Sequence, residues 1–164
     1  MIVRNLQGVN MFKKIIMLLL PLFVFVPSAF ADEVQDVQAF FNSFVNASNT
    51  YATNIPNYYV KNAKIVRVVY KPDGTKQAVV IPFDRYLQEL KKGAALARTV
   101  RYKNRYENQK VTKVGNDYKL SAIRIPRNDK SGLPAYFIIT KTQNGWKIKE
   151  ESMGTKVQKF LEAK

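Results

Sequence analysis

Tyr102, Asn104 and Tyr106, spaced two apart, bring two phenols and an amide to one side of an extended segment. All three are neutral hydrogen-bonding groups near pH 7, suited to fixing a polar atom of a mostly apolar ligand. Arg124 is in phase with Leu120 and Ala122, and Glu150 with Trp146 and Ile148. Both are expected at the same hollow, where an inward Arg facing an inward Glu makes a buried pair or a polar clamp. The plainer arrangement has the tyrosines as core with hydroxyls at the rim and Asn104 satisfying backbone at a bulge. In that case Arg124 and Glu150 lie at a wet sheet edge. Tyr102, Asn104, Tyr106, Arg124 and Glu150 are the candidate ligand-binding residues. A carboxylate base beside a phenol donor is also the equipment of an isomerase-like site, with Asp84 or Glu150 as the carboxylate. Asp84 is better explained as the acidic residue of a helix start, and no residue is assigned a catalytic role. The chain has no histidine and no cysteine, which removes zinc sites and Ser-His or Cys-His nucleophiles as ordinarily built. No metal site and no cofactor is expected.

These residues need elements to position them. Thr99 to Val114 alternates, with Val100, Tyr102, Asn104, Tyr106 and Asn108 on one side and Arg101, Lys103, Arg105, Glu107 and Gln109 on the other. That is one covered and one wet sheet face, with Arg105 and Glu107 a surface pair. Upstream, Val34, Val37, Phe41, Phe44, Val45, Tyr51 and Ile55 recur at helical spacing, so Asp32 to Asn54 is expected as a long helix, with Asp32 and Gln35 as a capping box. Pro56 ends it, and Asn57 to Asn62 is expected as a second, short helix. Ala63 to Tyr70 and Lys76 to Ile81 form a hairpin across Lys71-Pro72-Asp73-Gly74. Phe83 to Lys92 is expected as a helix burying Phe83, Tyr86, Leu87 and Leu90, with Gly93 as its C-terminal cap. After the long strand come Tyr118 to Ile125, an exposed loop from Arg127 to Pro134, the apolar strand Ala135 to Lys141, the Asn144-Gly145 turn, and Trp146 to Glu151. Thr155 to Lys164 is expected as a short tail helix.

Clustered helices and an antiparallel sheet define an α+β protein. The order of elements resembles the nuclear transport factor 2-like superfamily, the cone-shaped α+β fold shared by ketosteroid isomerase and scytalone dehydratase. The resemblance covers Val34 to Met153, and Asn144-Gly145-Trp146-Lys147-Ile148 is similar to the turn and strand ending many small members. It implies N-terminal helices packed on a curved antiparallel sheet, with an opening that holds whatever is bound. Several enzymatic members use a histidine that this chain lacks.

Length sets one domain, and the ends set its destination. Lys13 and Lys14, the apolar run Ile15 to Val26, and Ser28-Ala29-Phe30-Ala31 follow the order of a secretory signal peptide cleaved after Ala31. Met11 is also a natural start, which would make residues 1–10 an upstream extension. The expected organisation is therefore a leader over residues 1–31, one domain over 32–154 and a tail over 155–164. Removal of the leader leaves 133 residues with a net charge of +12, since Arg4, Lys13 and Lys14 go with it and no acid does. A periplasmic or secreted destination makes an anionic envelope surface, rather than nucleic acid, the acidic partner within reach. Three functions fit. The first is a small exported envelope protein, non-catalytic, whose cone binds an apolar or amphipathic ligand or is simply filled. The second is a periplasmic assembly module that forms a homodimer through the sheet face around Arg101, Lys103 and Arg105. The third is an isomerase- or dehydratase-like enzyme.

Overall fold

A computed structural model of the chain describes residues 28–127 and 129–162. Most of the expected leader, residues 1–27, lies outside the described residues, as do the last two residues of the expected tail helix. Among the described residues no helix is long and apolar enough to cross a membrane.

Helix α1 (Ser28–Asn49) starts four residues before the expected Asp32 cap. Its apolar stripe puts Val37, Phe41, Phe44 and Ala47 into the core, one side chain every three or four residues. Pro56 then opens a 3₁₀ turn, Ile55–Tyr58, where a missing N–H costs nothing. The expected second helix does not form beyond that turn. Strand β1 (Tyr59–Tyr70) takes over at once, and Tyr59 already pairs with Ile148 across the sheet. Strand β2 (Lys76–Ile81) returns from the Lys71–Gly74 turn, where Gly74 holds the left-handed φ of 83°.

Helix α2 (Phe83–Thr99) is longer than expected. Gly93 does not cap it, because Ala94, Ala95, Leu96, Ala97 and Arg98 are strong helix formers and carry it onward. The left-handed residue falls instead at Arg101, with φ 50°. Val100, Arg101 and Tyr102 therefore belong to the helix exit, and strand β3 begins only at Asn104 (Asn104–Val114). Strands β4 (Asp117–Pro126), β5 (Leu133–Thr142) and β6 (Gly145–Thr155) complete the chain, followed by a 3₁₀ turn, Gln158–Glu162, in place of the expected tail helix.

The sheet has six strands in the order β2-β1-β6-β5-β4-β3. It is curved and mixed: every joint is antiparallel except β1 with β6, which run parallel. The parallel joint follows from the connection. Helix α2 carries the chain from the β1–β2 hairpin to the far edge, and the β3-β4-β5-β6 meander brings it back beside β1. The inner face carries Ile65, Tyr118, Leu120, Phe137, Ile139 and Ile148, all essentially buried. Phe41 and Phe44 of α1 lie on it, with Phe41 4.8 Å from Phe137 between ring centroids. Each such ring contributes about 1.5–3 kcal/mol by leaving water.

Candidate ligand-binding cavity

Two bulges decide which polar side chains reach the interior. Each adds one residue to a strand and resets the in–out alternation beyond it. In β3, register shifts between Glu107 and Lys110, and Asn108 takes a φ of 53°. Before the bulge the even-numbered Asn104 and Tyr106 face inward; after it the odd-numbered Val111 does. Asn108, expected on the covered side, is exposed at the bulge.

In β6, Ile148 pairs with Ile139 while Glu150 pairs with Ile138, so Lys149 is the extra residue. Past it the inward positions are Glu151, Met153 and Thr155, all buried. Glu150 is thus corrected to the outer face. There it receives a hydrogen bond from Tyr136 Oη at 2.6 Å and an ion pair from Lys64 at 3.3 Å. The expected Arg124–Glu150 pair does not form.

A cavity of about 1090 Å³ opens between α2, the end of α1 and the inner face of the sheet. Its walls are apolar where Phe44, Leu87, Leu90, Ala97 and Leu133 line it. Its volume lies just above the ~300–1,000 Å³ range of small-molecule sites. Two polar groups of side chains interrupt those walls.

The first lies at the floor. Glu151, 0% exposed, accepts a hydrogen bond from Tyr59 Oη at 2.5 Å and a longer one from Tyr86 Oη at 3.4 Å, both on Oε2. The two phenols lie 3.0 Å apart. Arg67 Nη2 is 2.8 Å from Glu151 Oε1, an ion pair whose angle leaves that oxygen without an aligned hydrogen bond. Arg67 also donates to the Val66 carbonyl and lies over the Tyr86 ring. Burial disfavours the charged guanidinium, but the Glu151 carboxylate and the phenols outweigh it and hold the Arg67 pKa above its usual value. Burial first, then the Glu151 charge, pushes both Tyr59 and Tyr86 well above the ordinary tyrosine range, so the phenols are donors at any physiological pH.

The second group stands at the side wall. Arg124 Nη1 donates to Asn104 Oδ1 at 3.0 Å and to Tyr102 Oη at 3.2 Å, and Nη2 donates to the Gly154 carbonyl at 2.9 Å. Tyr102 Oη donates in turn to Asn104 Oδ1. Asn104 is fixed from behind: the side chain of Asn49, last residue of α1, binds both its N–H and its carbonyl, at 2.8 and 2.9 Å. Tyr106 stands between the two groups, edge-on to Phe41 at 5.2 Å. Burial and then the Glu151 charge raise its pKa far above the tyrosine norm.

Tyr102, Asn104, Tyr106 and Arg124 therefore come together on one cavity. Tyr102 gets there from the helix exit rather than from strand alternation. Arg105 stays on the surface, 3.5 Å from Glu107, and Asp84 is exposed in the first turn of α2. The floor residues Glu151, Arg67, Tyr59 and Tyr86 were not among the sequence candidates. Arg67 did leave a signal, being a charge at the inward phase of Ile65 and Val69 in an otherwise β-branched strand. Among the described residues no group of three or more metal-ligating side chains is clustered.

No protein-family model matches the chain, and no curated protein matches it. Solved structures do. A nuclear transport factor 2-like protein with a cystatin-like fold from Novosphingobium aromaticivorans superposes with a TM-score of 0.59 at 7% identity, covering 77% of this chain and 83% of its own. One from Pseudomonas putida, of unknown function, reaches 0.59 at 11% identity over 76% and 87%. A candidate scytalone dehydratase from N. aromaticivorans reaches 0.57 at 11% identity over 77% and 85%. Likeness at this level of identity carries the architecture: the chain has the α+β cone fold of nuclear transport factor 2-like proteins.

Proposed function

We propose that this is a small exported binding protein that holds an amphipathic ligand in its cone and performs no chemistry on it. The observation carrying the reading is the cavity: a continuous space of about 1090 Å³, apolar along α2, with donors at its floor and side wall. Such a lining orients a molecule with one polar end. The enzyme reading is weaker because Glu151, the buried carboxylate at the cavity floor, is already engaged by Arg67 and two phenols. A general base needs an oxygen within about 2.6–3.2 Å of the atom whose proton it takes, and only Oε1 is left without an aligned partner. Export rests on the basic, apolar and small-residue order of residues 13–31, and the +12 charge of the remaining chain suits an anionic envelope.

Native mass spectrometry of protein purified from an exporting host tests the reading. A retained small molecule, displaced on adding a competing amphipath, is the expected result. Protein that is consistently bare and that fails to take up any added amphipath overturns it.

A further inference from the structure

We infer that the ligand is an amphipathic molecule with a single oxyanionic head group, carboxylate or phosphate, and that the head group sits on Arg124. This rests on the binding reading above and adds the chemistry of the ligand's polar end.

The argument is a charge balance around the cavity. At the floor, Arg67 and Glu151 cancel at 2.8 Å. At the rim, Glu89 and Asp129 stand among Lys91, Arg98 and Lys156, leaving an excess of one cation. Arg124 is the decisive residue. Its guanidinium lines the cavity, yet among the described residues it has no carboxylate partner. All its acceptors are neutral: an amide oxygen, a phenol and a backbone carbonyl. Its Nε is buried with no hydrogen-bond partner. Arg124 is half-buried, so its charge is partly withdrawn from water with no counter-charge beside it, and the unfilled Nε donor adds to the cost. An oxyanion in the cavity supplies the missing counter-charge, and the planar N–H array of a guanidinium suits the oxygens of such a group.

The neighbours fit an anion as well. Tyr102 is 38% exposed, so its hydroxyl is free to turn from Asn104 toward an incoming oxygen. Tyr106 stays protonated and so sets no negative charge against an anion there. Asn49 holds Asn104, and Gly154 holds Nη2, so the guanidinium is oriented before a ligand arrives. A Cβ at position 154 would come within 2.8 Å of Leu133 Cβ, so the strand can make this approach only with glycine. From Arg124 the apolar body of the ligand runs along Leu87, Leu90 and Ala97 of α2.

Titration calorimetry with decanoate, decyl phosphate, decanol and decylamine, each below its micellar or solubility limit, tests the inference. The two anions should bind roughly 10- to 100-fold tighter than decanol, the gain expected of charge-assisted hydrogen bonds, and decylamine weakest. Whichever anion binds tighter names the head group. Arg124→Met should bring the anions down to the decanol level, cutting their affinity at least about tenfold more than decanol's. If that variant does not fold, the same contrast is read in wild type from salt, which should weaken the anions and spare decanol. Decanol binding as tightly as decanoate, or Arg124→Met losing both equally, overturns the head-group assignment and leaves the binding reading standing. No binding by any of the four overturns the binding reading itself.

Discussion

Removing Arg67 should be far more damaging than its position on one strand implies. Its side chain is 11% exposed and its partner Glu151 is fully buried, with 2.8 Å between Nη2 and Oε1. At an effective dielectric near 20 the attraction at that distance is roughly 6 kcal/mol, most of which repays the removal of both charges from water. Arg67→Met keeps the stem and deletes the charge, leaving the carboxylate with only Tyr59 and Tyr86 as donors. Breaking one side of a buried pair costs about 3–5 kcal/mol. The cavity alongside brings water near, so about 3 kcal/mol is the expected loss in urea unfolding, or a fall in Tm of roughly 10 °C for a domain of this size. Arg67→Met combined with Glu151→Leu should recover most of it, because no charge is then stranded and the two phenols still bond each other at 3.0 Å. The coupling read from the four-member cycle should exceed about 2 kcal/mol. A single-mutant loss below about 1 kcal/mol, or single losses that simply add in the double mutant, would falsify the buried-pair account.

Alkali should unfold the protein through its interior phenols. Tyr59, Tyr86 and Tyr106 all have folded pKa values raised above the ordinary 10. Their protonated forms are favoured in the fold, so their contribution is fully present below pH 10 and is lost above it, as the unfolded chain ionises first. The unfolding free energy measured in urea should fall from pH 10 upward with a slope approaching roughly 4 kcal/mol per pH unit, three groups at about 1.4 each. Alkaline spectrophotometric titration should show these tyrosines ionising only together with unfolding; a smooth titration of every tyrosine in folded protein contradicts the burial. At the β3 bulge, Asn108→Val should cost about 1–2 kcal/mol, because a β-branched side chain resists the φ of 53°, while Asn108→Gly should be close to neutral. Equal tolerance of both in thermal unfolding would mean that the strand does not turn there.

The helix α1 stripe, the hairpins and the α+β class were legible because each is written in local periodicity and turn residues. Val37, Phe41 and Phe44 cannot be on any other face of a helix. The helix and strand limits were less legible where propensity ran past a punctuation mark. Gly93 reads as a stop only until five helix formers follow it, and the aromatic, β-branched start of β1 reads as a helix until Ile148 is there to pair with it. The same shift moved Tyr102 out of the strand without moving it out of the site, since Arg124 reaches it from β4.

The doublet Glu150-Glu151 marks the boundary between the two kinds of information. Composition alone excludes histidine and cysteine chemistry, and alternation alone puts one of the two carboxylates inside. Which one depends on an extra residue at Lys149, a bulge visible only when β6 is matched to β5. A strand's phase is a local property, but its register belongs to the pair of strands, and one inserted residue exchanges the faces of everything beyond it. Chain periodicity therefore determined the layers of this protein, while pairing between distant strands decided that Glu151 and Arg67, rather than Glu150 and Arg124, meet at the floor of the cavity.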